Sequence, residues 1–394
     1  MALPRILLRS AGAVTLAVTL ALSAGSATVF AADPPTTSDP GAAAAGWIAT
    51  QVEAGVGPGS LADAIFAYAA TGVGADAAAD ALARLESGVD AYILDSGAAL
   101  VPGSLAKTML AVQVAGGNPT SFGGHDLEAD LRSLLITTPG PDLGRFGTAL
   151  NLDQALAILA LARTSSGIPA ESVDWLVAAQ CPNGDYQWDG ACPGAGAEDP
   201  DTTSLALQAL LAGGATTAAA TSTQLLLDIQ GSDGAFSSYG TANTNSSGVA
   251  GQALRAAGET AAADAAAAFV LTLQYGCAAT AADRGAFPWA ASSAGFLIFS
   301  TPQAVLALGA PALDALSISG ASAAAPILAC AVPAPTDAAP TSGSGEEPAI
   351  TLPPTDLGTA TPTTGGGSSL PIALLLLVAV AGSAVATARL RVRR

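Results

Sequence analysis

Apolar residues along the chain fall into helix-length blocks of two alternating kinds. One kind is apolar on nearly every side. Its members run Ser60–Gly72, Ser104–Gly116, Asn151–Arg163, Thr203–Gly213, Ser246–Gly258 and Thr301–Gly309. A helix without a polar face is buried. Most of these blocks open with Ser, Thr, Asn or Asp, the residues that cap helix N-termini, and most close at glycine, the usual C-terminal stop. The other kind is amphipathic and belongs on the outside: Ala43–Val52, Asp76–Glu86, Asp126–Leu135, Ala170–Gln180, Thr221–Gln230 and Ala262–Gln274. The unit of one outer and one inner helix recurs about every 45 to 55 residues, which is long enough for a helical pair. The pattern predicts an all-α domain over residues 43–319. Six pairs suit a closed α6/α6 toroid better than an open solenoid.

The two ends of the chain read differently. Residues 1–31 have Arg5 and Arg9, an apolar run Ala11–Leu22 and small residues Val29 and Ala31 before a cleavage point. That is the pattern of a secretory signal peptide. A Pro/Thr linker, 32–42, follows. Residues 320–369 are rich in Ala, Pro, Thr, Ser and Gly, a composition that buries no core and predicts a disordered stalk. Residues 370–388 are uncharged and about long enough to cross a bilayer, and Arg389, Arg391, Arg393 and Arg394 make a cytoplasmic tail, 389–394. The expected topology is single-pass type I, with the membrane as partner through this helix and the body outside the cell. Leu352-Pro353-Pro354-Thr355-Asp356 resembles a sortase LPxTG signal with Asp356 in place of the glycine, which adds cell-wall association as a lesser expectation. Four cysteines suit an exported chain and allow three pairings. Cys181–Cys192 is the local choice, leaving Cys277–Cys330 to tie the end of the domain to its last repeat.

Three turns repeat more sharply. They are Gln180-Cys-Pro-Asn-Gly184-Asp-Tyr186, Gln230-Gly-Ser-Asp-Gly234-Ala-Phe236, and Gln274 followed after an insertion by Gly285-Ala-Phe287. Glutamine, then Asn-Gly or Asp-Gly, then an aromatic residue resembles the repeat of the squalene and terpene cyclases and protein prenyltransferases. That resemblance implies the same α6/α6 toroid with a pocket at one end. The extracellular vitamin B12 carriers of the intrinsic factor and transcobalamin type use the same fold, which makes a corrinoid one candidate ligand. Glu198-Asp199-Pro200-Asp201-Thr202-Thr203 is similar to the D-x-D-D-T-A motif of squalene–hopene-type cyclases, with Asp199 and Asp201 in the first two acidic places and Thr202 in the third. The resemblance implies Asp201 as the acid that protonates a polyprene.

Composition narrows the choice. The formal net charge is −18, with 13 Lys and Arg against 31 Asp and Glu. This leaves no basic footprint for nucleic acid. There is no phosphate loop, no Gly-x-Ser-x-Gly and no metalloprotease helix. The lone histidine, His125, is far in sequence from any cysteine, so no metal and no cofactor is expected. Aromatic residues are sparse for a cavity that must stabilise carbocations.

In a ring of parallel inner helices the N-termini converge on one mouth, where backbone N–H groups and helix dipoles favour negative charge. The candidate ligand-binding residues are Asp201, Thr202, Asn243, Asn245, Trp188, Trp289, Asn151 and Ser104, with Ser60, Asp153 and Thr301 as further caps. Helix capping alone competes for each of them. Tyr186, Phe236 and Phe287 hold the repeat position and are expected to wedge between pairs. Trp188, Tyr239 and Trp289 lie just beyond it, where they serve either packing or a ligand. The expected protein is a monomeric surface toroid that binds a small molecule or surface partner at its mouth. The alternatives are a cyclase-like enzyme using Asp199 and Asp201, and a display domain without a ligand.

Overall fold

The glycine and proline residues that punctuate the apolar blocks set where each helix begins and ends. The computed structural model describes residues 39–330 apart from 193, 195 and 294. The expected signal peptide, the 370–388 span, the tail and most of the stalk lie outside the described residues. Among the described residues no helix is long and apolar enough to cross a membrane. The helices in chain order are α1 (Pro40–Ala54), α2 (Pro58–Thr71), α3 (Ala75–Ser87), α4 (Val89–Ile93), α5 (Pro102–Val114), α6 (Leu127–Ser133), α7 (Asn151–Ala162), α8 (Ala170–Ala178), α9 (Pro200–Ala212), α10 (Thr216–Ile229), α11 (Thr244–Ala256), α12 (Thr260–Leu271) and α13 (Leu297–Ala304). A 3-10 turn, Val305–Leu308, extends α13. Two hairpins interrupt the all-helical expectation: β1 (Leu94–Asp95) with β2 (Ala99–Leu100), and β3 (Phe236–Ser238) with β4 (Thr241–Asn243).

Helices α2, α5, α7, α9, α11 and α13 pack each against the next, and α13 packs back on α2. The inner six therefore close a ring. The amphipathic helices α1, α3, α6, α8, α10 and α12 pack outside it. The core is built from alanine and leucine, with Ala62, Ala106, Leu110, Ala157, Leu161, Leu210 and Leu254 buried. The first helical residues sit earlier than the polar blocks predict. Pro58, Pro102 and Pro200 occupy the first turn, a place proline favours because its missing N–H costs nothing there. Ser60 and Ser104 are consequently inside their helices, behind Gly57 and Val101 as the caps, and Thr301 lies well inside α13. Only Asp199 and Asn243, among the inner helices, cap with their own side chains.

The glutamine turns are clasps between neighbouring pairs. Gln180 Nε2 donates to Ala218 O and Ser222 Oγ of α10, and Gln230 Nε2 to Ala262 O of α12. Gln274 Nε2 donates to Pro40 O of α1, so the last pair clasps the first. The turn glycine makes the contact close. A Cβ on Gly184, Gly234 or Gly285 would lie 2.5, 2.2 or 2.3 Å from the carbonyl oxygen of Thr221, Ala265 or Ala43. Tyr186, Phe236 and Phe287 are fully buried, and their N–H groups donate to Thr203 Oγ1, Ser247 Oγ and Thr301 Oγ1. Their role is packing, as the repeat position suggested. A fourth clasp uses Gln154, whose Nε2 donates to Gly144 O and Ser172 O while its Oε1 accepts from Phe146 N.

The domain also extends at both ends. α1 starts at Pro40, inside the expected linker, and residues 320–330, expected to begin the stalk, instead continue a strap over 309–330 that wraps the ring. This strap runs across the C-terminal ends of the inner helices in reverse chain order. Gln252 Nε2 of α11 donates to Pro311 O, and Leu313 N donates to Gln208 Oε1 of α9. Arg163, after α7, donates to Leu313 O and Asp314 O. Ile318 N then bonds Val114 O of α5, and Ser322 N bonds Gly72 O. Leu313 and Leu316 sink into the core. Pro326 O lies against Gly46 of α1, and Cys330 pairs with Cys277. The Cys181–Cys192 disulfide forms as well, and no described cysteine is free.

Candidate functional site at the inner-helix mouth

The N-terminus of α9 gathers three carboxyl groups. Asp199 is the cap: its Oδ1 accepts from Asp201 N at 3.1 Å and Thr202 N at 3.0 Å, and its Oδ2 from Thr202 Oγ1 at 2.7 Å. Behind it Asp185 is fully buried. Its Oδ1 accepts from Asp199 N and Thr203 Oγ1, and its Oδ2 from Gln187 Nε2. Such saturation keeps a buried carboxylate tolerable. The sequence pattern places Asp185 only as a turn residue. Its position after Asn183-Gly184, facing the next helix N-terminus, is the signal that marks it.

Asp201 is different. It lies in the first turn of α9 and remains partly accessible as a residue, yet its Oδ1 is enclosed. Burial, then the neighbouring charge of Asp199, pushes its pKa up to about 7, against the opposing influence of the nearby Ser246 hydroxyl. Burial also raises Asp199, and its hydrogen bonds from Thr202 and Asp201 oppose that rise. Asp201 therefore keeps its proton close to neutral pH and can donate a hydrogen bond.

The other expected site residues divide. Thr202 spends its hydroxyl on Asp199. Asn243 is buried and caps α11, accepting from Ser246 N at 2.8 Å. Asn151 is buried in the first turn of α7, with its Nδ2 on Gln187 O at 2.8 Å. Asn245 Nδ2 pairs with Gln303 Oε1 across α11 and α13. The Trp289 carbonyl accepts from Thr244 N, and the residue is half-buried. Ser104, buried in α5, neighbours Tyr92. These polar groups hold the mouth together, and α9 brings only Asp199, Asp201 and Thr202 into one group.

A second polar group, not anticipated from the pattern, lies on the opposite arc. Lys107 Nζ of α5 meets Asp63 Oδ1 of α2 at 2.7 Å. Burial alone would lower the Lys107 pKa, and Asp63 with Tyr92 more than offsets this. Asp153 sits over Gly103, where a Cβ would fall 2.0 Å from its Oδ1.

The rim carries exposed apolar side chains on the connections into successive inner helices. Trp188, before α9, is 52% exposed; Tyr239, before α11, is 71% exposed; Phe296, the cap of α13, is 50% exposed. The only non-glycine residues with left-handed backbone among the described residues are Ser96, Tyr239 and Phe296, at φ of 50°, 51° and 63°. Each precedes an inner helix. Two clefts are defined elsewhere. One, of about 470 Å³, lies under the strap beside Arg163, and one, of about 450 Å³, lies at the seam of α1 and α13, lined by Trp47, Phe299 and the rim residue Phe296 itself. Neither is lined by Asp199 or Asp201. Among the described residues no group of three or more His, Cys, Asp or Glu side chains is placed to hold a metal.

No protein-family model matches the chain, and no curated protein matches it. Among solved structures it resembles ent-copalyl diphosphate synthase from Streptomyces platensis, at 20% identity over 64% of this chain and 50% of that one, with a TM-score of 0.45. The chain thus spans about half the length of that structure. A likeness this loose carries no argument about fold type or activity. Nothing in these comparisons supports the likeness to vitamin B12 carriers.

The state of Asp201 has a measurable consequence. A carboxyl that ionises near 7 in the fold but at its ordinary value when unfolded favours folding fully only below that ordinary value. The contribution declines as pH rises and is lost through about 7. Asparagine mimics the protonated form. Asp201→Asn is therefore expected to stabilise the fold at about pH 8, by an amount on the order of 4 kcal/mol seen as a higher thermal midpoint, and to leave that midpoint nearly unchanged at about pH 4. Thermal denaturation across pH checks this. An equal effect at both ends would place the proton elsewhere.

Proposed function

We propose that the mouth of the helical ring is a binding surface, with Trp188, Tyr239 and Phe296 as its apolar rim and the α9 N-terminus as its polar floor. The observation that carries this reading is the pair of aromatic residues held in solvent by left-handed backbone. Such backbone costs about 1–2 kcal/mol for a residue with a side chain and persists where function requires the placement. Tyr239 is 71% exposed, and Phe296, half exposed, lines the cleft at the α1–α13 seam. Two disulfides suit an oxidising compartment. The reading therefore includes export, retention on the membrane through residues 370–388 and action as a monomer.

The test is a thermal-shift screen of the purified protein against a panel of metabolites that includes cobalamins. At least one ligand class is expected to stabilise the wild type. A Trp188→Ala/Tyr239→Ala/Phe296→Ala variant should lose that stabilisation while keeping its unliganded midpoint. If no ligand stabilises the wild type, a display role without a ligand takes its place.

A second reading, cyclase-like acid chemistry, is favoured by one observation: Asp201 holds a proton near neutral pH in the middle position of the acidic motif. Against it stands the same value, because a carboxyl near 7 is a weak donor to an alkene. Incubation with squalene or a shorter polyprene separates the two. Product from the wild type that Asp201→Asn fails to make would establish the acid; equal or no product would leave the binding reading.

A further inference from the structure

We infer that the mouth face of the ring docks a protein partner whose surface is apolar and basic. This rests on the binding role of the mouth and names the kind of partner. The first ground is where the chain spends its length. Five of the connections into an inner helix are long: 88–101 with α4 and the β1–β2 hairpin, 134–150, 179–199 with the Cys181–Cys192 staple, 230–243 with the β3–β4 hairpin, and 272–296. Three of the connections at the other end span only 72–74, 213–215 and 257–259, and the strap runs over that end. Long connections gathered on one face of a rigid scaffold are where proteins place their binding surfaces.

The second ground is the apolar surface and its extent. Leu150, Trp188, Tyr239 and Phe296 stand in these connections and Phe299 in the first turn of α13, five of the eight large apolar side chains exposed among the described residues. Packed helices lie about 8–10 Å apart, so a ring of six is about 20 Å across between axes. Leu150, ahead of α7, and Phe296, ahead of α13, begin inner helices on opposite sides of that ring. A small molecule can use part of such a rim, and a protein surface covers all of it. With the width of the helices added, the face is about 30 Å across and presents about 700 Å², near the roughly 800 Å² that each partner gives to a stable interface.

The third ground is charge, which chooses a protein over a bilayer. Asp95, Asp189, Glu198, Asp199 and Asp283 lie in the same connections, and among the described residues none of the ion pairs includes any of them. The cations on or beside this face are already engaged: Lys107 with Asp63, His125 with Asp90, Arg145 with Asp142, and Arg284 Nε with the Ala279 carbonyl. Elements that lie on membranes set Lys and Arg beside their apolar side chains, and the negative surface of a bilayer repels carboxylates. Rings with carboxylates between them instead complement apolar residues surrounded by Lys or Arg, the pairing of anchors and charge found at protein interfaces.

The experiment selects a phage library of random peptides, each of about 12 residues, on the full chain held in phosphatidylcholine nanodiscs, with empty nanodiscs removing lipid binders. The selected peptides are expected to be enriched about twofold in Lys and Arg and to carry Leu, Phe or Trp. Trp188→Ala/Tyr239→Ala/Phe296→Ala should weaken their binding about tenfold or more. Val177→Ala/Ile327→Ala, which removes exposed apolar side chains elsewhere, should change it less than about twofold. No selected peptide, peptides without the basic and apolar bias, or binding that ignores the rim variant overturns the inference. Quenching of Trp188 emission by brominated phosphatidylcholine in the discs, read as the difference between wild type and Trp188→Phe, also overturns it and lays the face on the bilayer. The metabolite screen judges the mouth as a binding surface by itself, so the two readings can fail separately.

Discussion

Gly285→Ala is expected to destabilise the protein by about 3–5 kcal/mol, lowering its thermal midpoint by roughly 10 °C. Two costs add. At φ of 93° the backbone is left-handed, which costs a residue with a Cβ about 1–2 kcal/mol. The new Cβ would also lie 2.3 Å from the carbonyl oxygen of Ala43, a backbone atom that cannot rotate away. Relieving that overlap means opening the contact with α1. The same loop supplies the other ties between last pair and first, Gln274 Nε2 to Pro40 O and Trp47 Nε1 to Ala282 O. Gly258→Ala is the matched control: its φ is 88°, and a Cβ there would meet nothing within 4 Å. It should lose only about 1 kcal/mol. Denaturant or thermal unfolding of the two variants side by side isolates the close approach, and equal losses would dismiss it.

Removing the Cys277–Cys330 bond, as in the double serine variant, is expected to cost about 4 kcal/mol from unfolded-chain entropy alone. The corresponding figure for Cys181–Cys192 is about 3 kcal/mol, because its loop is shorter, 11 residues against 53. The two also differ in what they release. Cys181–Cys192 staples an exposed loop ahead of α9. Cys277–Cys330 holds the free end of a strap whose other ties are hydrogen bonds at the ends of α11, α9, α7, α5 and α2 and the buried side chains Leu313 and Leu316. Without it, the strap should fray from Cys330 backwards. Hydrogen exchange at Ile318, Ser322 and the Gly74–Asp76 amides, which bond to or within the strap, reads this directly. Faster exchange at Ser322 than at Leu313 is the expected order. Uniform exchange would show that the strap is held along its length.

Much of the ring was legible because inner and outer helices differ in kind: apolar all round against amphipathic. The Gln–Gly–aromatic turns were legible as repeats, though their physical role, a clasp on the next outer helix, emerges only from contacts. The fourth clasp is hidden in the sequence because its glutamine, Gln154, follows Gly144 and Phe146 in the chain instead of preceding them. Helix starts differ from expectation where Pro58 and Pro102 begin a helix two residues ahead of the serine expected to cap it. The strap has the look of a stalk because it is held mainly through backbone groups, and hydrogen bonds to carbonyls leave no hydrophobic period. At the mouth, the acids were visible as a motif and Trp188 and Tyr239 as rings beyond the repeat. Left-handed backbone at Tyr239 and Phe296 has no sequence signature, and the Lys107–Asp63 pair joins helices far apart in the chain.

The Cys277–Cys330 bond also decides how the domain bears a mechanical pull. Tension applied between Asp39 and the chain beyond Cys330 travels along the backbone to Cys277 and crosses through sulfur to Cys330. Residues 278–329, with α13 and the whole strap, lie on a slack branch that feels none of it. While the bond is oxidised, the piece that closes the ring is shielded from stretching; once it is reduced, the same pull peels the strap off first, one helix end at a time.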